Sequence, residues 1–203
     1  MRRLIIGISG ASGAIYGIRV LDALRAVPEI ETHLVLSPSA KRTIEDETNW
    51  TLEQVQALAD VVHPHQDIGA AISSGSFRTA GMLVAPCSIK TLSGIASSYN
   101  DNLLTRAADV CLKERRRLVL LVRETPLHLG HLEMLAQVTR YGAVILPPVP
   151  AFYNRPQTLD DIVNQTVGKA LDQFEIEHNL FKRWKETVSA EDTPSRKVQR
   201  LHV

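Results

Sequence analysis

The sequence predicts an α/β protein with one doubly wound parallel sheet, of the Rossmann or flavodoxin-like kind, in a single domain. Short apolar runs recur along the chain, and segments with helical spacing of apolar residues separate them. The first apolar run ends in a turn of small residues that leads directly into a helix. With 203 residues, of which 44% are hydrophobic, the chain can bury one sizeable core.

Five apolar runs are expected to form the strands. They lie at residues 4–8, 34–37, 82–86, 118–122 and 143–148. Nearly continuous apolar runs of this length are typical of parallel strands that helices cover on both faces.

Seven helices are expected between and after these strands. They lie at residues 13–27, 39–47, 51–59, 88–97, 102–115, 127–141 and 158–174. The last helix opens with Thr158 as an N-cap and Asp161 three residues later, which is the spacing of a capping box. The chain becomes polar from Asn179 onward, so we expect a domain over residues 1–184 and a flexible C-terminal tail over 185–203.

The turn after the first strand, SGASGA, predicts a phosphate-binding site. Glycine lets the backbone approach an anion closely, and the first amides of the following helix point their partial positive charge at it. The pattern is not a dinucleotide fingerprint, because Ser12 stands where a third glycine would be needed and no acidic residue closes the second strand. A Walker lysine is also missing. A glycine-rich turn without a ligand remains the alternative for this motif by itself.

Charge and cysteine content narrow the class of protein. The formal net charge of +1 gives no reason to expect nucleic acid, and the basic cluster Lys113–Arg117 sits at a predicted helix end, where cations favour the helix dipole. Cys87 and Cys111 have no CxxC spacing, and no signal peptide or long apolar run is present. We therefore expect a cytoplasmic, reduced protein without a membrane span.

Polar residues gather where four of the strands end. SGASGA follows the first strand, Ser37 the second, Cys87–Thr91 the third and Arg123–Glu124 the fourth. Each could be a helix cap or a surface charge when taken singly. Because the carboxyl ends of parallel strands share one edge of the sheet, the four together favour a ligand site.

Metal and thiol chemistry are not expected. His128, His131 and Glu133 have helical spacing that a metal could use, but the sequence offers no fourth ligand nearby. Cys87 has no neighbouring histidine in sequence and is interpreted as a small packed residue.

Eight segments together resemble one family. In order along the chain they are GISGASGAIYG, ETHLVLS, ISSGSF, PCSIKTLSGIA, LLTRAADVCLKERR, LVRETPLHLGHLE, GAVILPPVPAFYNRPQTLDDIV and LDQF. They resemble the bacterial flavin prenyltransferases of the UbiX type, over residues 2 to 184. The resemblance implies that reduced FMN and dimethylallyl phosphate are joined at N5 and C6 of the flavin. The product, prenylated FMN, would serve a partner decarboxylase in ubiquinone biosynthesis.

The resemblance also implies a role for individual residues. Those implied for FMN binding are Gly10, Ala11, Ser12, Ser37, Ser88, Ile89, Lys90, Thr91 and Arg123. Those implied around dimethylallyl phosphate are Arg106, Lys113, Tyr153 and Lys169, together with Arg123 and Glu124. Ser12, Glu47 and Glu124 are the implied catalytic residues. Some members of the family carry arginine in place of Lys169, and lysine lacks the bidentate fork of arginine.

Metal independence and assembly follow from the same resemblance. The sequence contains no DDxxD motif of the kind that holds metal in diphosphate-dependent prenyltransferases, and a monophosphate leaving group removes the need for magnesium. Residues of different subunits meet at one flavin in this family, so we expect a homo-oligomer, a dodecamer.

Two alternatives come from the same superfamily. One is an FMN-dependent cysteine-type decarboxylase, although its Met-Asn substrate clamp is replaced here by RETPLHLGHLEML. The other is a non-enzymatic flavin-binding regulator, which would keep the FMN loops without needing Glu47, Lys113, Tyr153 and Lys169.

Overall fold

Six parallel strands form one sheet in the computed structural model, which describes residues 1–184. The strands are β1 (Arg2–Ile8), β2 (Ile30–Leu36), β3 (Val61–His63), β4 (Gly81–Cys87), β5 (Arg117–Val122) and β6 (Val144–Ile145). Their order across the sheet is β3-β2-β1-β4-β5-β6. This order reverses direction between β1 and β4, so the predicted doubly wound fold is confirmed. The predicted tail over 185–203 lies outside the described residues.

Seven α-helices connect and follow the strands, each where a helix was predicted. They are α1 (Ala14–Leu24), α2 (Pro38–Glu47), α3 (Leu52–Gln56), α4 (Ile89–Ala96), α5 (Leu103–Lys113), α6 (Leu129–Tyr141) and α7 (Leu159–Asp172). The predicted capping box begins α7, because Thr158 accepts from the amide of Asp161 and the Asp161 carboxylate accepts from the amide of Thr158. Within residues 1–184, no helix is long and apolar enough to cross a bilayer.

The outer strands differ most from the sequence prediction. The three-residue β3 (Val61–His63) was not predicted. A short, half-exposed edge strand carries too few apolar residues to produce a periodic signal. On the other side of the sheet, β6 keeps only two of the six residues predicted at 143–148, and Pro147 and Pro148 beyond it have no amide to donate to a neighbour.

Helices cover both faces of the sheet. Helices α1, α2, α3 and α7 pack on one face, and α4, α5 and α6 on the other. Alternate residues of β1 serve the two cores, since Leu4, Ile6 and Ile8 belong to the first and Ile5 to the second. Helices α5 and α7 therefore pack on opposite faces of the sheet.

Ser9 joins the two halves of the sheet at the point where the strand order reverses. Regular pairing of β1 with β4 ends at Gly7 and Val84. The Ser9 hydroxyl then donates to the Pro86 carbonyl at 3.0 Å and accepts from the Ser88 amide at 2.8 Å. Ser9 is 1% exposed, so both hydrogen bonds are shielded from water.

Helix α1 lies unusually close to the sheet because Gly17 has no side chain. A Cβ atom at this position would stand 2.3 Å from the Ala85 carbonyl oxygen and 2.6 Å from the Ile8 side chain. The opposite side of α1 is held by Arg19, whose buried guanidinium pairs with Asp160 of α7 at 2.9 Å. The start of α1 is thus fixed against both the sheet and α7.

Both cysteines are buried and form no disulfide. Burial raises the pKa of the Cys87 thiol far above its usual range and that of Cys111 to about 12. The prediction that Cys87 is a packed residue agrees with this environment.

Four helices end in the same kind of turn at the amino edge of the sheet. The residues that close them have left-handed backbone angles: Ser98 after α4 (φ +53°), Arg115 after α5 (φ +56°), Gly142 after α6 (φ +106°) and Glu175 after α7 (φ +57°). In each turn the next amide reaches back to a carbonyl of the helix, as when the Arg116 amide donates to Cys111 at 2.8 Å. Glycine adopts this conformation without strain, whereas other residues lose about 1–2 kcal/mol.

The left-handed angle of Arg115 generates a stability prediction. We expect the Arg115→Gly protein to be more stable than Arg115→Ala by about 1 kcal/mol, because both lack the charge but only alanine keeps the strain. The same pair of substitutions at Arg117, the first residue of β5, should give the opposite order, since glycine weakens a strand. Urea denaturation of the four proteins measures both differences, and an Arg115→Ala protein as stable as Arg115→Gly contradicts the prediction.

Candidate functional site

Four loops meet at the carboxyl edge of the sheet, where the sequence places its polar strand ends. The Ser37 amide after β2 donates to Ile8 of β1 at 3.0 Å. The Ser88 amide after β4 donates to the Ser9 hydroxyl, and the Arg123 amide after β5 donates to Cys87 at 3.1 Å. These hydrogen bonds bring the loops after β1, β2, β4 and β5 into direct contact.

The glycine-rich loop, residues 9–13, presents backbone amides at this edge. Gly10 and Ser12 are exposed, and their amides have no hydrogen-bond partner among residues 1–184. Gly13 adopts a left-handed conformation (φ +99°) as the N-cap of α1, and no side chain of its own caps the helix. The positive end of α1 therefore faces the loop.

A second helix N-terminus adjoins this loop. Ser88 is the N-cap of α4, and its hydroxyl accepts from the Thr91 amide at 3.3 Å and donates to the Thr91 hydroxyl at 3.2 Å. The amides of Ile89 and Lys90 lie in the first turn, where a helix supplies no acceptor. Two helix N-termini with unpaired amides at one edge suit a phosphate, so this donor set fits the phosphate of FMN.

Ser37 adds a hydroxyl group to the uncharged donors of the site. It is the N-cap of α2, and its half-buried hydroxyl oxygen accepts from the Ala40 amide at 3.1 Å. The hydroxyl proton remains available for donation to a ligand oxygen.

Glu47, the last residue of α2, contacts the glycine-rich loop directly. Its carboxylate accepts from the Gly13 amide at 2.7 Å. A negative charge at the start of α1 is stabilised by the helix dipole. The structure thus places a carboxylate next to Ser12, as the resemblance implies for two residues that act together.

Arg123 and Glu124 are exposed beside the same loops. The Glu124 carboxylate accepts from the amide of Thr125 at 2.9 Å. Arg123 lies near the hydroxyl of Tyr16, which also faces Thr166 of α7. Burial raises the pKa of Tyr16, and the positive charge of Arg123 partly opposes that rise. Sequence analysis missed Tyr16, although its place in the first turn of α1, three residues after Gly13, could have indicated it.

Two of the implied prenyl-phosphate residues lie on α5. The Arg106 guanidinium pairs with Asp109 at 3.1 Å and donates to the Ser73 carbonyl at 3.2 Å. Lys113, at the end of the helix, pairs with Glu114. Both cations are partly exposed, on the side of α5 that does not face the core.

The other two lie on the opposite face of the sheet. Tyr153 precedes α7 and is 43% exposed, with its ring edge-on to Trp184 at a centroid distance of 5.5 Å. Lys169 of α7 is about half exposed and stands 3.8 Å from Asp172. Within one chain the structure brings together the implied FMN residues and Glu47, but not Lys113 and Lys169.

Histidines at the start of α6 serve the local fold. His128 caps the helix by accepting from the Gly130 amide at 3.0 Å, and its ring lies 3.6 Å from that of His131. Across residues 1–184, no three His, Cys, Asp or Glu side chains are grouped closely enough to hold a metal ion.

Comparison with known proteins identifies the same family that the eight sequence segments resemble. The model of the family described as Flavoprotein matches residues 1–171. The chain is 66% identical over 186 residues to flavin prenyltransferase UbiX of Escherichia coli K12, covering 91% of this chain and 98% of that protein. It is 63% identical over 182 residues to flavin prenyltransferase UbiX of Thauera aromatica, covering 90% of this chain and 93% of that protein.

Solved structures share the fold at high similarity. AnUbiX (PadA1), solved with FMN and dimethylallyl pyrophosphate, has a TM-score of 0.89 at 51% identity, covering 92% of this chain and 99% of that one. A dodecameric FMN-dependent UbiX-like decarboxylase from Escherichia coli O157:H7 also has a TM-score of 0.89, at 54% identity, covering 91% of this chain and 100% of that one. The FMN-dependent cysteine decarboxylase SpaF, at 15% identity and a TM-score of 0.59 over 72% of this chain and 84% of that one, shares the fold alone. By its sequence, its fold and the loops at its carboxyl edge, this chain belongs to the Flavoprotein family, among the flavin prenyltransferases of the UbiX type.

Proposed function

We propose that this protein is a flavin prenyltransferase. It transfers the dimethylallyl group of dimethylallyl phosphate to N5 and C6 of reduced FMN and releases inorganic phosphate. The observation that carries the proposal is the contact between Glu47 and the Gly13 amide, at 2.7 Å. This contact places an acid beside a phosphate-binding loop that is itself joined to the loops carrying Ser88 and Arg123.

The carboxyl edge selects FMN over larger nucleotides. The amides of Gly10, Ser12 and Ile89 offer one phosphate site, and Arg123 adds a positive charge beside it. A ribose diol would need an acidic residue after β2, where Ser37 instead offers a hydroxyl suited to the ribityl chain. We therefore assign FMN, without NAD or FAD, as the flavin substrate.

Departure of the prenyl phosphate requires fixed positive charge. Breaking the allylic carbon–oxygen bond leaves a carbocation and a phosphate, so donors must stabilise the phosphate while water is kept from the cation. Arg106, Lys113, Lys169 and the Tyr153 hydroxyl supply these donors in our proposal. With this charge available, we assign no metal to the reaction.

The two groups of phosphate-binding residues meet only in an oligomer. Lys113 of α5 and Lys169 of α7 lie on opposite faces of the sheet, so a single chain does not present both to one phosphate. One of the similar solved proteins is dodecameric. We propose that this chain also assembles as a dodecamer, in which Tyr153 and Lys169 face a neighbour's phosphate-binding loops.

Ring closure at C6 requires a proton to move between the flavin and the prenyl chain. The double bond of the N5-bound chain takes up a proton, its tertiary carbon bonds to C6, and C6 then loses its own proton. Glu47 accepts a hydrogen bond at the start of α1, next to Ser12, and Glu124 lies beside Arg123. We assign the proton transfer to Glu47 first, with Glu124 and the released phosphate as the other candidates.

The product defines the cellular setting. Prenylated FMN passes to a decarboxylase that depends on it, in ubiquinone biosynthesis. We place the protein in the cytoplasm, because its reduced flavin substrate needs a reducing compartment.

The first functional prediction concerns Glu47. Glutamine at this position keeps an oxygen that accepts from the Gly13 amide, but it does not take up a proton. We expect Glu47→Gln to bind FMN within about threefold of wild type and to attach the five-carbon unit without closing the ring. The two products have the same mass, so absorption spectra must distinguish them.

The Glu47→Ala variant separates the two roles of this residue. It removes the Gly13 contact as well, so FMN binding should weaken in Glu47→Ala and not in Glu47→Gln. Ring closure by Glu47→Gln at the wild-type rate would assign the proton transfer to Glu124 or to the phosphate.

The second functional prediction concerns Lys169. In our proposal its ammonium binds the prenyl phosphate and not the flavin, so Lys169→Ala should raise KM for dimethylallyl phosphate by about tenfold or more and leave FMN affinity nearly unchanged. Arg140→Ala, which removes an exposed cation from α6, is the matched control and should change neither value. Equal loss of FMN affinity in Lys169→Ala would refute this assignment.

The third functional prediction tests the shared site. Lys113→Ala and Lys169→Ala chains, each nearly inactive at low prenyl phosphate, are mixed under conditions that exchange subunits. If the two lysines come from different chains, roughly a quarter of the sites regain both, and activity returns to that fraction of wild type. Mixing restores nothing if both lysines come from one chain. Light scattering on the mixture confirms that the oligomer has re-formed.

A further inference from the structure

A cavity of about 440 Å³ lies at the amino edge of the sheet, opposite the glycine-rich loop. Strands β1 and β5 begin there, and α5, α6 and α7 end there. Three of the four left-handed residues that close helices, Arg115, Gly142 and Glu175, belong to its wall. No step of the proposed prenyl transfer uses this cavity.

The cavity has a strong excess of positive charge. Arg2, Arg115, Arg116 and Arg117 line it, and Glu175 is the one carboxylate among the lining residues. Glu114 also lies near Arg116, but its charge is balanced by its ion pair with Lys113. The lining side chains have a formal charge of +3. Three helix C-termini contribute roughly half a negative charge each, so a net charge of about +1.5 remains. The negative ends of the three helices therefore balance only about half of the positive charge of these side chains.

Two of the arginines are held in place by backbone carbonyls. Arg2 donates to Phe174 at 2.9 Å, and Arg116 donates to Phe77 at 2.8 Å and to Gly75. Arg115 and Arg117, in contrast, have no ion pair or hydrogen bond from their side chains to any other described residue. The cavity thus combines two ordered guanidinium groups with two that are available to a ligand.

The backbone at Arg115 allows its side chain to be removed without disturbing the turn. Helix α6 ends on Gly142, the residue type that takes a left-handed conformation without strain. Helix α5 ends in the same conformation with an arginine, as α4 does with Ser98 and α7 with Glu175. Glycine at position 115 therefore keeps the turn and removes one guanidinium that lines the cavity.

We propose that this cavity binds the diphosphate group of a small molecule. Guanidinium groups bind phosphate oxygens through paired N–H donors, and four of them match two phosphoryl groups better than one. The volume lies within the range of about 300–1,000 Å³ of small-molecule pockets. Tyr141, 40% exposed, supplies an apolar wall next to the arginines for the remainder of the ligand.

Calorimetric titration of the assembled protein with inorganic pyrophosphate tests the proposal. Saturation with oxidised FMN and dimethylallyl phosphate fills the carboxyl-edge site beforehand, so the heat that remains reports the cavity. We expect one further site per chain. Arg115→Gly and Arg117→Gln should each weaken it by about tenfold, and glycine at position 115 preserves the turn. A parallel titration with ADP distinguishes a free diphosphate from a nucleoside diphosphate.

The matched control is Arg140→Gln, which removes one positive charge near the end of α6 without touching the cavity. It should leave the additional site unchanged. The proposal is overturned if the wild-type protein binds neither probe at millimolar concentration, or if Arg140→Gln weakens binding as much as Arg115→Gly does. Binding that survives in the Arg115→Gly and Arg117→Gln proteins also overturns it.

Discussion

The arrangement of the loops at the carboxyl edge depends first on how Ser9 joins β1 to β4. The two strands pair regularly only as far as Gly7 and Val84, and beyond that point the Ser9 hydroxyl holds Pro86 and the Ser88 amide. Its two buried hydrogen bonds fix the starts of α1 and α4 relative to each other. The unpaired amides at both helix starts are therefore held at the same edge of the sheet, which lowers the entropic cost of binding an anion there.

The sheet also separates the residues that we propose bind the prenyl phosphate. Its two faces carry separate cores, with α5 on one and α7 on the other. Lys113 of α5 and Lys169 of α7 therefore lie on opposite sides of the sheet, and both are about half exposed. In the proposed oligomer this conflict disappears, because half-exposed Lys113 and Lys169 can approach one phosphate from different chains.

Sequence patterns predict the inner sheet, the seven helices and the polar carboxyl edge, because long apolar periodicities and small-residue turns produce local signals. They do not predict β3, whose three residues depend on pairing with β2. The proximity of Tyr16 to Thr166 depends on how α7 returns across α1, over a separation of 150 residues. The arginine cavity could not be predicted from the sequence either, because its wall combines the start of β1 with the ends of three helices that are distant along the chain.

The burial of both thiols has a consequence for chemical durability. Reduced flavin reacts with dioxygen and yields hydrogen peroxide, so an enzyme that holds it is exposed to an oxidant of its own making. Peroxide attacks the thiolate form of cysteine. Cys87 and Cys111 are shielded from solvent, and their raised pKa values keep them protonated at neutral pH. The protein therefore carries no reactive sulfhydryl for peroxide to inactivate in residues 1–184.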